Sequence, residues 1–122
     1  MKELTKAEEQ VMKAVWNAKG GFVKDIYEEI PAPKPAYNTV LTVIRILVQK
    51  EFLTYKAYGK SFEYHPVLSK EAYSNQQLKS LKKGYFDNST KKLLSFFVRE
   101  NNISLEELDE LMNELKKQKD EK

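Results

Sequence analysis

The sequence predicts a mainly α-helical protein with one small β-hairpin. Three observations carry that expectation. Apolar residues recur at helical spacing along most of the 122 residues, twice behind a capping-box pattern, Thr5 with Glu8 and Ser104 with Glu107. The period falls to two in the single stretch "FLTYKAYGKSFEYHP". Prolines gather in "PAPKPA", which removes backbone donors and forces extended geometry between two helical stretches.

The first helix starts after Thr5. Ala7, Val11, Ala14, Val15 and Ala18 share a face, Met12 and Trp16 widen it, and "KGG" stops it. Val23, Ile26, Tyr27 and Ile30 then fall at i, i+3, i+4 and i+7, a second helix of about two turns. A third helix is expected from Ala36 to Lys50, with opposed faces. At ~100° per residue, Val40, Val43, Ile44, Leu47 and Val48 converge on one side. Asn38, Thr42, Arg45 and Gln49 collect opposite them, with Thr39 and Ile46 on one shoulder and Leu41 on the other. In the hairpin, Leu53 and Tyr55 alternate, as do Phe62 and Tyr64, and Gly59 supplies the positive φ of a tight turn. Pro66 closes the unit. Three helices followed by a hairpin is the winged helix-turn-helix plan, which we assign to residues 1–67, with Lys56 and Lys60 at the wing tip.

Residues 68–122 are expected to form a helical dimerisation region. A Lys-rich helix over 69–83 carries Ala72, Leu78 and Leu81 and ends at Gly84. Another runs from Asn88 to Arg99 around "LLSFFV". The last begins at Ser104 and spaces Leu105, Leu108, Met112 and Leu115 like a coiled-coil seam. Its acidic first turns and "KKQK" end suit the helix dipole. Roughly 55 residues with three separate apolar stripes make a poor independent core. Two chains are therefore expected to bury Leu93, Phe97, Val98, Leu105, Leu108, Met112 and Leu115 against each other.

Several function classes are disfavoured. His65 is the only histidine and there is no cysteine, so neither a metal centre nor a histidine-dependent triad has its partners. No glycine loop suits a phosphate, and the acidic pairs Glu28-Glu29 and Glu106-Glu107 read as solvated surface. No cofactor and no enzymatic activity are expected. "NST" at 88–90 and "NIS" at 102–104 match glycosylation acceptors, but without a signal peptide they read as helix caps. No apolar run approaches ~20 residues, so membrane insertion is not expected, and with no cysteine for a disulfide frame a cytoplasmic location is expected.

Charge distribution points elsewhere. Residues 31–60 hold Lys34, Arg45, Lys50, Lys56 and Lys60 against Glu51 alone, a local +4 in a chain of net charge +3. That favours a polyanionic partner, and the third helix has a face suited to double-stranded DNA. Arg45 can pair with guanine, Asn38 or Gln49 with adenine, and Leu41 or Ile46 can meet a thymine methyl. Thr39 and Thr42 suit phosphates or bases; Lys50, Lys56 and Lys60 suit phosphates. Two other readings stay open. One is a winged-helix module that grips a protein; the other is a regulator with a ligand pocket beneath Phe96 and Phe97.

The order and spacing of "LTKAEEQVMKAVW", "VKDIYEEI", "NTVLTVIRILVQKEFL", "YKAYGKSFEYHPV" and "LLSFFVRENNISLEELDEL" resemble the penicillinase-repressor family across essentially the whole chain. The resemblance implies a dimeric repressor on palindromic operators of β-lactam-resistance genes. It further implies a membrane-bound sensor metalloprotease as partner, with cleavage in the dimerisation region. Three departures stand out. The family often has a basic residue at the position of Leu41 and an arginine at that of Ile46, whereas Arg45 is shifted by one. The bond aligned with the family's Asn-Phe cleavage site is Phe96-Phe97. The C-terminal cysteines of the copper-responsive branch are absent, which excludes copper sensing by that device.

Overall fold

The computed structural model describes residues 3–120. Its contacts divide the chain into two compact units, one ending at Asn75 and the other beginning at Gln76.

In the first unit, α1 (Lys6–Ala18) opens with the expected capping box. The Glu8 N–H donates to Thr5 Oγ1 at 3.2 Å, and the Thr5 N–H donates to Glu8 Oε1 at 3.0 Å. It ends at Lys19 (φ 60°) and Gly20 (φ 85°), whose N–H groups donate to Trp16 O and Val15 O. Glycine is required there for a second reason. A Cβ on Gly20 would lie 2.6 Å from His65 Nδ1 and 2.8 Å from Tyr64 O.

The expected hairpin is one part of a three-stranded antiparallel sheet of order β1-β3-β2. The unforeseen strand is β1 (Gly21–Phe22), which pairs Gly21 with Tyr64 and Phe22 with Glu63. Two residues are too few to show an alternating period, so the tertiary pairing alone defines this strand. The helix α2 (Val23–Glu28) follows and is shorter than the spacing to Ile30 suggested. Pro31 disfavours helical backbone at Ile30, which leaves the helix yet stays buried.

α3 (Tyr37–Gln49) buries Val40, Val43, Ile44 and Leu47, the face its periodicity marked. After it, Glu51 turns left-handed (φ 67°) and the Phe52 N–H donates to Leu47 O, which carries the Phe52 ring into the core. β2 (Leu53–Tyr58) and β3 (Ser61–Pro66) pair Tyr55 with Tyr64 and Tyr58 with Ser61, leaving Gly59-Lys60 as a two-residue turn. Positive φ falls on Gly59 (61°) and not on Lys60, the pattern of a type II′ hairpin. Met12, Val15, Ile26, Ile44, Leu47 and Phe52 form the centre of the core.

The unit extends past the boundary expected at residues 67 and 68. Trp16 Nε1 donates to Leu68 O at 2.9 Å. Tyr73, in the first turn of α4 (Lys70–Tyr85), is buried with its ring 5.7 Å from Trp16 and 6.1 Å from Phe52.

α4 also departs from expectation at its end, since it passes through Gly84 instead of stopping there. The turn is made by Asp87 and Asn88 at φ 52° and 57°, with the Asn88 N–H donating to Lys82 O. α5 (Thr90–Glu100) is capped by Ser89 Oγ, and α6 (Leu105–Asp120) by Ser104 Oγ. No described side chain from Gln76 to Lys119 is buried.

Candidate nucleic-acid interface

The outer face of α3 is built as its pattern requires. Asn38, Thr39, Thr42, Arg45 and Gln49 are exposed, while Leu41 and Ile46 are half-buried on the shoulders. The Thr42 hydroxyl donates to Asn38 O at 3.0 Å, so its remaining capacity is to accept. Arg45 makes no ion pair among the described residues. Burial pushes the Tyr64 phenol up, the Arg45 charge opposes that, and the neighbouring Tyr55 adds to it; the net shift is upward. The phenol therefore stays protonated at neutral pH.

A groove of about 540 Å³ runs beside α3. Tyr37, Leu41 and Arg45, spaced i, i+4 and i+8, form one wall. Lys24 of α2 and Lys60, Phe62 and Tyr64 of the wing line the rest, together with Phe22, Val23, Asp25 and Ser61. The structure thus joins Lys24 and Tyr37, which the pattern of residues 31–60 did not single out, to Arg45 and Lys60. The only legible signal for Lys24 was its place as the one basic residue of α2.

The basic stretch is reorganised by folding. Lys50 Nζ lies 2.7 Å from Glu8 Oε1, with Glu8 only 6% exposed. Burial raises the Glu8 pKa, but the hydrogen bond and charge of Lys50 and the hydrogen bonds of Thr5 outweigh it, so the carboxyl lies below its ordinary value. Lys34 is also occupied. Its Nζ donates to Tyr27 O at 3.0 Å and sits 4.8 Å from the Tyr27 ring centroid. Two of the five cations, Lys34 and Lys50, therefore have partners within the fold.

On the wing, Tyr55, Phe62 and Tyr64 share one sheet face, with Tyr55 and Phe62 centroids 5.0 Å apart. Lys56 lies on the other face, its Nζ 5.3 Å from the Tyr58 ring centroid. His65 Nε2 is 2.7 Å from Glu63 Oε1 on that same face. Among the described residues, no group of three or more His, Asp or Glu side chains is placed to hold a metal.

The second unit presents an apolar surface of its own. Leu93, Val98 and Leu108 are half-buried; Phe97 is 53% and Leu105 80% exposed, and Met112 and Leu115 are exposed too. Leu94 and Leu111, which the seam pattern omitted, are equally open. Phe96 packs on Phe86 with centroids 5.3 Å apart. The Phe96-Phe97 bond lies within α5, and both Asn101 N–H and Asn101 Nδ2 donate to Phe97 O. No described helix is long and apolar enough to cross a membrane.

Residues 4–117 match the family profile described as penicillinase repressor. The chain is 28% identical over 116 residues to the methicillin resistance regulatory protein MecI of Staphylococcus aureus (strain N315), covering 94% of each chain. It is 22% identical over 121 residues to the penicillinase repressor of Bacillus licheniformis, covering 98% of this chain and 94% of that one. It also resembles the solution structure of the DNA-binding domain of the repressor BlaI, with TM-score 0.51 and 25% identity over 60% of this chain and 94% of that chain. The family's members are DNA-binding transcriptional repressors and not enzymes. The profile match spans both units, and this chain belongs to the penicillinase repressor family.

Proposed function

We propose that this chain represses transcription by binding double-stranded operator DNA as a homodimer in the cytoplasm. The observation that carries the reading is α3, whose inner face is buried aliphatic and whose outer face offers amides, hydroxyls and an unpaired Arg45 beside a basic wing. In a winged helix-turn-helix that face enters the major groove, where Arg45 reads guanine, Asn38 or Gln49 reads adenine, and Leu41 or Ile46 meets thymine methyl groups. Thr39, Thr42, Lys56 and Lys60 hold the backbone. The relatives' names point to operons of antibiotic resistance.

Dimerisation has separate support. Two helical stripes, Leu93, Phe97 and Val98 on α5 and Leu105, Leu108, Met112 and Leu115 on α6, are at most half-buried within one chain. A second copy is the economical way to cover them, through an isologous contact. Release from DNA is then by proteolysis at Phe96-Phe97, triggered by a membrane-bound sensor metalloprotease. That bond is helical, so α5 must open locally before a protease can take it as an extended strand. Cleavage would detach α6 from the DNA-binding part and remove the affinity gained from two linked half-sites.

The test is selection of bound duplexes from random sequence by the full chain. The expected product is a two-fold symmetric site with half-sites about one helical turn or a multiple apart. Enrichment of no sequence, or of an asymmetric single half-site, would overturn the reading. A ligand-sensing role draws on one observation, an open groove of about 510 Å³ where Phe86 and Phe96 are flanked by Lys91, Lys92 and Arg99. An aromatic carboxylate retained in native mass spectra would favour it.

A further inference from the structure

We propose that Lys24 is a phosphate-contacting residue of this chain and that Lys50 is not. The inference rests on the DNA-binding reading above and changes its set of backbone contacts. Lys24, Arg45 and Lys60 come from three separate elements, α2, α3 and the wing turn, and line one groove. Among the described residues the ion pairs are Lys13–Glu9, Lys50–Glu8, His65–Glu63 and Lys92–Asp87, so none of the three groove cations has an acidic partner. The one acid in the groove, Asp25, accepts from the Phe22 N–H at 3.1 Å. Three cations around a cleft that holds a single carboxylate leave it net positive, and a phosphate backbone lying along the groove relieves their mutual repulsion.

Lys50 is in the opposite situation. Its Nζ is 2.7 Å from a carboxylate that is itself buried and that closes the α1 capping box. Reaching a phosphate would leave the buried Glu8 carboxylate without its cation, held by the Thr5 N–H alone, and that cost opposes the contact. The rule that basic residues flanking a recognition helix bind the backbone therefore fails at this position, for a reason visible only in three dimensions.

Phosphate contacts are independent of sequence, so a mixed-sequence DNA duplex serves as the probe. Binding of the full chain is followed by fluorescence anisotropy across a potassium chloride series, and log K is plotted against log salt. Each lost phosphate contact flattens the slope by about 0.9. Lys24→Ala and Lys60→Ala are each expected to flatten it by that amount and to weaken binding several-fold at low salt. Lys13→Ala, on α1 and paired with Glu9, controls for net charge and should leave the slope unchanged. Lys50→Ala alone could unfold the chain, so the paired variant Glu8→Gln with Lys50→Met removes both charges and keeps both stems. It is expected to retain the wild-type slope. A wild-type slope in Lys24→Ala, or a slope flattened by one contact in the paired variant, overturns the inference while leaving DNA binding intact. A wild-type chain that does not bind the duplex at low salt overturns the DNA reading itself.

Discussion

Lys50→Met isolates the tie between the start of α1 and the end of α3. Methionine keeps the aliphatic stem, so the change removes a charge and three donors with little loss of packing. Breaking a buried pair by deleting one partner costs about 3–5 kcal/mol, because the other charge is stranded. Here the Lys50 side chain is 23% exposed and the Glu8 side chain 7%, so water reaches one end of the pair. Glu8 also keeps the Thr5 N–H donor. Both facts bring the expected loss down to about 2 kcal/mol at neutral pH, within the range for a charge-assisted hydrogen bond. The sign with pH is definite. Glu8 titrates below its ordinary 4.5 in the folded wild type, so its contribution is complete above that value and is lost as pH falls through the lower folded value. Without Lys50 the carboxyl loses the hydrogen bond and the charge that lower its pKa, so the gap between variant and wild type should shrink as pH falls through the folded wild-type value. Urea unfolding followed by Trp16 fluorescence measures this in the first unit, since Trp16 is the only tryptophan and packs on Tyr73. A difference under about 0.5 kcal/mol at neutral pH would place the pair among ordinary surface contacts and refute the argument. So would a difference that persists undiminished in acid.

Arg45→Ala should weaken binding to the selected site by about 1–3 kcal/mol and relax preference at one base position. Repeating the sequence selection with the variant checks this, and an unchanged consensus at unchanged affinity removes Arg45 from base reading. Leu108→Ala should weaken the dimer by about 2–5 kcal/mol if its side chain is buried in the assembly. Sedimentation over a dilution series reads the shift, and a wild-type monomer at micromolar concentration removes the premise. Glu51 holds a left-handed backbone at φ 67° that a side chain disfavours by about 1–2 kcal/mol. Glu51→Gly should therefore stabilise the first unit by roughly 1 kcal/mol, offset in part by the greater freedom of glycine when unfolded. A lower urea midpoint for that variant would count against it.

Local pattern was enough for much of this chain. Opposed faces on α3, the capping box of α1, the "KGG" stop and the turn at Gly59 are written in residues adjacent in sequence, because backbone sterics and side-chain period act over a few positions. The same logic singled out Asn38, Thr42, Arg45 and Gln49, which the fold leaves exposed. It fell short where the outcome depended on a distant partner. Gly21-Phe22 is a strand only because Tyr64 and Glu63 lie alongside it. Gly84 stays helical because a single glycine costs only about 1 kcal/mol within a helix, and Asp87 and Asn88 supply the turn beyond it. Lys50 and Lys24 look alike as letters, yet one meets a buried carboxylate from α1 and the other lines a groove with Arg45. Charge composition fixes how many cations a segment has, while long-range packing fixes which are neutralised inside the fold and which are left for a partner.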